Sequence, residues 1–560
     1  MENEKINNNN NSNNNKIVKF KYGCDQVIEF GSTVHELLNQ IEKENITTTL
    51  PICLDDGSIG GGGLLVKERD YTLPMVSFAV CMKNASKFLD ETLFSIVLQT
   101  YRGPLELSIF DDASTDTSIE VVLKWLPVFK YFNICLVLSS GKGSETHHHN
   151  MKEYIEIIEE FKKKYNISTK EEVTTKDEEE KEIVTLLSGG VGYARNQAIK
   201  YSHGEYLCIL DADDVMFRER VESQYQECKK DLDCIVGSNF IRIPEGSSAR
   251  YTDWCNRLSD EQLFLHQYRE VSIIQPTWFY HRTLFLKNGE YIEALKLNEN
   301  INDNNNNSNN INNNNNETDN KKFYIMGSND NCLQYKHKNQ DKHIEKYKES
   351  QKKLIKDISS SGAKAIPEDL IFFNRHLDKG GKLRKAKIES IVNISSNQEK
   401  EKTEQDDATE NEDEQCNGNK KLKIIKNEPL LVYRYHENNL SSQIHKHMLM
   451  KVRIEYLERR VLSKWSSFTI WGAGKDGKKF FTLLSDSSKK KVTAFCDVDK
   501  NKIGQKYNAA YTPYSVPIIH FSQAKPPLVI CVALDRSNGE FENNLNSLNL
   551  KEGTEYWHFN

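Results

Sequence analysis

The sequence predicts an α/β protein with a mostly parallel sheet, followed by a smaller α/β unit at the C-terminal end. From Pro74 to about Ile243, short apolar runs alternate with segments of helical periodicity, which is the pattern of parallel strands covered by helices. A glycine motif directly after an apolar run marks a second unit beyond residue 466. Asn-rich tracts and an acidic run interrupt both patterns, which explains a hydrophobic fraction of 38%, below the usual ~45–50%.

The apolar runs and periodic segments give the elements in chain order. Four runs predict strands: VSFAV (76–80), LELSIF (105–110), ICLVLSS (134–140) and EYLCIL (205–210). The helix after the first strand has Leu89, Leu93 and Ile96 on one face, and a second helix covers 190–202. Later segments predict one strand over 234–243, a helix over 366–381, a strand over 429–436 and a helix over 442–464.

A chain of 560 residues is long enough for roughly three or four domains. The main domain is expected at 74–440, with polar insertions at about 142–185, 296–363 and 386–423. The other predicted segments are an Asn-rich tract at 1–15, a small ββα module at 16–70, a connecting helix at 441–466 and the C-terminal unit at 467–560.

Charge, hydropathy and cysteine spacing narrow the class of protein. The 75 basic and 81 acidic side chains give a net charge of −6, which argues against a wholly electrostatic nucleic-acid binder. No run approaches the ~18 apolar residues of a membrane helix, and the first 20 residues lack the apolar core of a signal peptide. The 12 cysteines are scattered, as reduced thiols would be. We expect a cytoplasmic protein without a membrane partner.

Acidic residues collect where predicted strands end and a later helix begins. Asp111 and Asp112 end one strand, Asp211-x-Asp213 ends another, and Glu368-Asp369 starts the helix after Pro367. Three such groups on one edge would repel each other unless a cation offset them, which points to Mn²⁺ or Mg²⁺. Singly, Asp111-Asp112 could cap a helix and Glu368-Asp369 could favour a helix N-terminus. Asp211-x-Asp213 is more specific, because buried carboxylates are costly without a ligand.

These motifs together resemble a known family. VSFAVCMKNASKFLDETLFSIVLQTY, FDDASTD, GVGYARNQAI, GEYLCILDADDV, PEDLIFF and YRYH occur in the order typical of family 2 glycosyltransferases. The resemblance implies the GT-A fold, with a small Rossmann-like unit at the C terminus and low-complexity insertions. Within the family the chain is most similar to enzymes that galactosylate queuosine in tRNA, through segments such as RYTDWCNRL and KWSSFTIWGAGKDGKK.

The resemblance implies roles for residues that contact the nucleotide. Asp112 would bind the uracil ring of a UDP-sugar, and Asp111 would support it. Arg195 would lie near the nucleotide or brace the metal loop. Cys81 stands where the family usually has proline at the end of the first strand, and this position implies that it neighbours the base.

The resemblance also implies the metal and catalytic groups. Asp211 and Asp213 would form the DxD element, with Asp213 as the more direct metal ligand. His436 would contact the metal or the diphosphate. Asp369 would be the catalytic base, with Glu368 beside it, in a single displacement that inverts the sugar configuration.

The implied donor is a UDP-hexose and the implied acceptor is tRNA. Two alternatives stay open: transfer from UDP-GlcNAc or UDP-glucose to a protein or glycan, and a catalytically silent scaffold that binds nucleotide. The intact carboxylates argue against the scaffold.

The C-terminal unit carries Gly472, Gly474 and Gly477 in G-x-G-x-x-G spacing, and Asp497 follows 20 residues later. This is the form of a dinucleotide-binding fingerprint. The unit is only about half a full Rossmann domain, so the same glycines could serve strand–helix packing alone. Bound nucleotide, presentation of the acceptor and simple packing all remain open. Lysines around the motif could contact RNA phosphates, although a solvated surface is the ordinary explanation.

Two other features have ordinary explanations as well. The run His147–His149 lies in a polar insertion and is expected to be adventitious. Trp254, Trp278, Phe279 and Tyr280 could stack on a sugar or a nucleobase, and core packing is the alternative for half of them.

Overall fold

The computed structural model describes residues 68–140, 189–293, 366–388, 428–436, 439, 444–509, 513–533 and 538–560, and the backbone of strands at 19–21, 27–29, 322–325, 389–394 and 420–426. The helix of the expected ββα module and the run His147–His149 lie outside these residues.

The described strands before residue 440 form the eight-stranded main sheet and three smaller sheets. The described strands before residue 440 are β1 (Lys19–Lys21), β2 (Val27–Glu29), β3 (Val76–Met82), β4 (Leu105–Asp111), β5 (Ile134–Ser140), β6 (Tyr206–Asp211), β7 (Val215–Met216), β8 (Cys234–Gly237), β9 (Asn239–Ile243), β10 (Phe279–His281), β11 (Lys322–Ile325), β12 (Lys382–Lys385), β13 (Ile388–Ile394), β14 (Lys420–Lys426) and β15 (Pro429–Arg434). The described helices there are α1 (Leu89–Val97), α2 (Ser118–Lys124), α3 (Leu126–Tyr131), α4 (Gly190–Tyr201), α5 (Arg220–Cys228), α6 (Ala249–Arg257), α7 (Asp260–Leu265), α8 (Arg282–Asn288) and α9 (Glu368–Asp378).

The main sheet has eight strands in the order β11-β5-β4-β3-β6-β10-β8-β12. Its centre is parallel, since β3 pairs in parallel with β4 and β6, and β4 does so with β5. The short strand β10 runs antiparallel to both β6 and β8. The α/β prediction is confirmed, and the sheet is mixed because β10 and also β11, which runs antiparallel to β5, depart from the parallel arrangement.

The apolar segment 234–243 is two strands, so the prediction of one strand is wrong. β8 belongs to the main sheet, whereas β9 belongs to a three-stranded sheet of order β7-β15-β9. Ser238 lies between the two strands and belongs to neither of them. This change of sheet matters for the site, because it places β9 beside β15, the strand that ends next to His436.

The aromatic segment before α8 is part of the core. Trp278, Phe279 and Tyr280 are fully buried, so the idea that they stack on a substrate is wrong. The ring centroid of Trp278 lies 5.9 Å from that of Phe372 on α9. Trp254 is partly buried, and its indole N–H donates to Nδ1 of His266 at 3.1 Å. Burial of these rings stabilises the position of α9.

A glycine allows close packing of α4. A Cβ atom at Gly192 would lie 2.1 Å from the carbonyl oxygen of Ile292. Any larger residue would therefore push α4 away from this loop. The same helix packs against β3 and β4 and carries Arg195.

The C-terminal unit is a second sheet of order β18-β19-β17-β16-β20-β21, which confirms the small Rossmann-like unit. Its strands are β16 (Phe468–Trp471), β17 (Val492–Asp497), β18 (Lys506–Asn508), β19 (Ser515–His520), β20 (Leu528–Ile530) and β21 (Tyr556–His558). Its helices are α10 (Lys446–Leu457), extended by a π turn at Glu458–Leu462, α11 (Lys475–Leu483), α12 (Asp486–Lys489) and α13 (Glu540–Asn546). All neighbouring strands are parallel except β18.

Helix α10 joins the two units, because it packs against α9 on one side and α11 on the other. Aromatic contact adds to this, with the rings of Tyr268 and Trp557 5.1 Å apart. The eight described cysteines are free, and seven are buried, as expected. Among the described residues, no helix combines the length and the hydropathy that crossing a bilayer requires.

Candidate active site

The candidate site lies at the carboxyl ends of β3, β4 and β6. The chain passes from β3 to β4 on one side of the sheet and later to β6 on the other. Ligands of open α/β sheets bind at such a switch point. Cys81 pairs with Asp211 across the strands, and Met82 pairs with Asp111. The acidic residues predicted at two strand ends therefore share one edge.

Asp111 and Asp112 have different surroundings. The Asp112 carboxylate accepts the backbone N–H groups of Gly189, at 2.8 Å, and Gly190, at 3.1 Å, at the start of α4. Asp111 is buried and its Oδ2 accepts the N–H of Ser114 at 3.2 Å. Its Oδ1 has no hydrogen-bond partner within the described part of the chain. Burial raises the pKa of Asp111 to about 6.

The raised pKa of Asp111 predicts a loss of stability with rising pH. A carboxyl with a raised pKa in the folded chain stabilises the fold fully below its unfolded pKa of about 3.9. That contribution is lost as the pH rises through about 6. The side chain of Asp111→Asn cannot ionise. The difference in free energy of unfolding between this variant and wild type should therefore shift by about 1–2 kcal/mol in favour of the variant from pH 5 to pH 8. Urea unfolding at both pH values measures this gain, and an equal difference at both would refute it.

Three aspartates cluster at the end of β6. One ligand oxygen from each of Asp211, Asp213 and Asp214 lies within 4.8 Å of the others. Asp214 is fully buried; its Oδ1 accepts the N–H of Arg434 at 2.8 Å, and its Oδ2 has no hydrogen-bond partner among the described atoms. Burial, followed by the charges of Asp213 and Asp211, raises the pKa of Asp214 well above its usual range. A divalent cation fits this cluster, because it would offset the repulsion and accept hard oxygen ligands.

Strand β15 brings a histidine to the aspartate cluster. Nε2 of His436 lies 2.8 Å from Oδ2 of Asp213, and the imidazole stacks on Phe88 with ring centroids 5.3 Å apart. Arg434 anchors the end of the strand, since its Nε donates to the backbone oxygen of Asp213 at 2.9 Å. Its guanidinium also pairs with Glu91 on α1. Asp213 and His436, both predicted to contact the metal, therefore contact each other directly.

Arg195 connects strand β6 to helix α9. Its buried guanidinium donates to Oδ1 of Asp211 at 2.9 Å and to Oε1 of Glu368 at 3.2 Å. The same group lies 3.5 Å from Sγ of Cys81. Burial raises the pKa of the Cys81 thiol to about 12, so the thiol is neutral. The Arg195 guanidinium thus holds the carboxylates of Asp211 and Glu368, from distant parts of the chain, in one site.

The first turn of α9 contains the two remaining acids. Burial, followed by the charge of Asp369, raises the pKa of Glu368 to about 7. Asp369 accepts the N–H of Leu370 at 2.6 Å, and no described basic side chain pairs with its carboxylate. Burial also raises the pKa of Asp369. Glu368 is therefore engaged by Arg195, whereas Asp369 keeps an oxygen that can accept a proton.

Two positioning residues were not singled out from the sequence. Asp214 and Arg434 both stand inside quoted motifs, DADD and YRYH, yet received no role. The signal for Asp214 was available, because a third aspartate after a buried strand needs a partner. The partner of Asp214 is the backbone N–H of Arg434, 220 residues later in the chain, and no nearby sequence pattern indicates this contact.

The comparison with protein families identifies the domain. Residues 77–145 and 168–289 match the model described as Glycosyl transferase family 2. The matched segments contain β3 to β10, with Asp112, Arg195 and Asp213. These residues form a family 2 glycosyltransferase domain. The GT-A fold expected from the sequence fits this match, which ends before α9 and β15.

Curated relatives cover part of this domain. GlyG of Streptococcus pneumoniae serotype 4 is 24% identical over 178 residues, which is 32% of this chain and 42% of the relative. An uncharacterised glycosyltransferase of Methanocaldococcus jannaschii is 24% identical over 212 residues, 37% of this chain and 61% of the relative. The chain thus spans between 42% and 61% of the length of these relatives.

Solved structures align over larger shares at low identity. S. aureus TarS 1–349 in complex with UDP-GlcNAc aligns with a TM-score of 0.32 and 11% identity, covering 69% of this chain and 67% of that chain. The mannosyltransferase PcManGT from Pyrobaculum calidifontis, in complex with GDP-Man and Mn²⁺, aligns with a TM-score of 0.25 and 16% identity, covering 47% and 55%.

Proposed function

We propose that this chain transfers a hexose from a UDP-sugar to a hydroxyl acceptor by a single inverting displacement, with galactose as the sugar and queuosine of a tRNA as the acceptor. The observation that carries the proposal is the buried Arg195, which joins Asp211 of the metal loop to Glu368 beside the proposed base. Donor and acceptor groups would thereby meet at one edge of the sheet.

Asp211 and Asp213 would hold Mn²⁺ or Mg²⁺, with His436 as a further contact to the ion or the diphosphate. When bound, such an ion supplies positive charge that offsets the charge developing on the leaving diphosphate. Arg434 and Asp214 would fix the backbone of this loop, because the Arg434 N–H donates to Asp214 Oδ1 and the Arg434 Nε donates to the backbone oxygen of Asp213. These two residues are positioning residues.

Asp112 would bind the uracil ring, with Asp111 supporting it. The carboxylate of Asp112 is held at the edge of the sheet by the backbone N–H groups of Gly189 and Gly190. The neutral thiol of Cys81 would lie beside the base.

Asp369 would act as the general base. The acceptor oxygen forms a bond to the anomeric carbon as the bond from that carbon to the UDP oxygen breaks, and UDP leaves with the electron pair. The acceptor proton passes to Asp369. One displacement inverts the anomeric configuration. Glu368 would stay paired with Arg195 and keep Asp369 at the site.

Two features support a nucleoside acceptor. The resemblance to enzymes that modify queuosine extends through RYTDWCNRL, which forms most of α6 and packs on β9. Beside it, the Arg242 guanidinium lies 4.7 Å from the ring of Tyr433 and 5.8 Å from that of Tyr435. Tyr435 is 38% exposed and directly precedes His436. Exposed aromatic rings and guanidinium planes are surfaces on which unstacked bases bind.

The experiment is transfer of label from UDP-galactose, UDP-GlcNAc and UDP-glucose, with Mn²⁺, to tRNA that contains queuosine and to matched tRNA that lacks it. We expect galactose to enter only the tRNA with queuosine. Transfer of another sugar, or transfer to proteins or glycans alone, would replace the proposed donor or acceptor. Binding of UDP-sugar without any transfer would favour the silent scaffold.

A further inference from the structure

The C-terminal unit contains a cavity of ≈ 290 Å³ that the proposed transfer reaction does not use. The cavity lies at the carboxyl ends of β16, β17 and β20. The chain passes from β16 to β17 on one side of the sheet and later to β20 on the other, so the cavity occupies the switch point of this sheet. Open α/β sheets bind their ligands at this place.

The three glycines of the motif serve different purposes. Gly472 has φ +111°, which only glycine adopts easily, and a Cβ at Gly477 would lie 1.9 Å from the oxygen of Gly472. Backbone packing therefore explains these two. Gly474 has φ −86°, and a Cβ there would meet nothing within 4 Å. Neither conformation nor packing requires glycine at 474, and its missing side chain leaves space inside the cavity.

The same space adjoins the start of a nine-residue helix. α11 begins at Lys475, directly after Gly474, and no side chain caps its N-terminus. The first amide groups of a helix lack partners within the helix and attract anions. Lys475 lines the cavity beside this helix start and adds positive charge, whereas Lys502 is ion-paired with Asp497, and the acidic Asp476 and Glu540 also line the cavity. This end of the cavity therefore suits a phosphate or diphosphate group.

The end of β17 offers an acid and an apolar surface to the cavity. Asp497 accepts Ala473 N–H at 2.9 Å, Lys502 Nζ at 3.2 Å and Asp499 N–H at 3.0 Å. With about four acceptor positions on a carboxylate, one remains for a hydroxyl. Val498 is 48% exposed at the rim, an unusual position for a large apolar side chain. Its exposed surface would pack against a flat base.

We propose that this cavity binds a ribonucleoside diphosphate. The diphosphate would lie over Gly474 at the N-terminus of α11, a ribose hydroxyl would donate to Asp497, and the base would pack against Val498. The cavity volume is just below the ~300–1,000 Å³ typical of ligand pockets, which favours one nucleotide over a dinucleotide. This site is separate from the donor site of the main sheet.

The test uses the full chain with Asp213→Asn and excess EDTA, which weakens metal-dependent binding at the donor site. Calorimetric titration with ADP, UDP, NAD⁺ and inorganic pyrophosphate should detect binding of ADP or UDP. Gly474→Val should weaken that binding at least tenfold, because the valine fills the space over the helix. Val498→Asp should weaken it as well, and its exposed position keeps folding intact.

Thr482→Val on the exposed side of α11 is the matched control and should leave binding and the unfolding midpoint unchanged. Three results would overturn the proposal: no binding of ADP or UDP at millimolar concentration, equal affinity in Gly474→Val, or pyrophosphate binding as tightly as the nucleotides. Tighter binding of NAD⁺ than of ADP would overturn the assignment to a single nucleotide.

Discussion

Asp369→Asn is expected to slow sugar transfer by about 10²–10⁴-fold, the usual contribution of a general base, while UDP-sugar binding stays close to wild type. The asparagine keeps the size of the side chain and can still accept the N–H of Leu370. It cannot take the proton of the acceptor hydroxyl. Glu368 cannot easily replace it, because its carboxylate is paired with Arg195 at 3.2 Å. Single-turnover transfer and equilibrium donor binding separate the two effects.

Asp486→Asn provides the matched control for this experiment. It makes the same chemical change on a side chain that is 79% exposed in the C-terminal unit, so transfer should be unaffected. Near wild-type turnover of Asp369→Asn would remove Asp369 from the mechanism. A loss of donor binding equal to the loss of rate would instead indicate a structural role.

Asp213→Asn should lower the affinity for Mn²⁺ in the presence of UDP by about 10–100-fold or more. Losing a group that only hydrogen-bonds to a metal ligand already costs this much, and Asp213 would be a ligand itself. Transfer should fall with it. Asp213 is only partly buried and contacts His436 at 2.8 Å, so the substitution leaves the surrounding core intact. The fraction of free Mn²⁺, followed by electron paramagnetic resonance during titration, measures the affinity directly.

His436→Gln should show a smaller loss of Mn²⁺ affinity than Asp213→Asn, since a neutral ligand contributes less charge than a carboxylate. The thermal unfolding midpoint in EDTA serves as the control for both variants and should match wild type. An unchanged Mn²⁺ affinity in Asp213→Asn would contradict the assignment of the metal site to this loop.

The sequence pattern predicted the edge of the sheet at which the site lies. The apolar runs that became β3, β4 and β6 end in polar residues, and parallel strands align these ends. Asp111 and Asp211 therefore had to share one edge. The glycines of GVGYARNQA and the acids after Pro367 likewise fixed where α4 and α9 begin.

Contacts between distant segments could not be predicted in the same way. Arg195 and Glu368 are 173 residues apart, and no periodicity relates them. Segment 234–243 looked like one strand because an apolar run gives no sign of where a chain leaves one sheet for another. Trp278 and Tyr280 have the composition of a stacking platform, and only the tertiary packing shows that they are buried.

The most direct test of the central claim is acceptor-independent release of UDP from UDP-galactose, UDP-GlcNAc and UDP-glucose by the full chain. The account predicts slow release of UDP from at least one of these donors with Mn²⁺, loss of the activity in EDTA, and recovery when Mn²⁺ is restored. It also predicts slower release by Asp213→Asn than by wild type at the same Mn²⁺ concentration. Failure of wild type to bind or cleave any of the three donors with Mn²⁺ present would contradict the account.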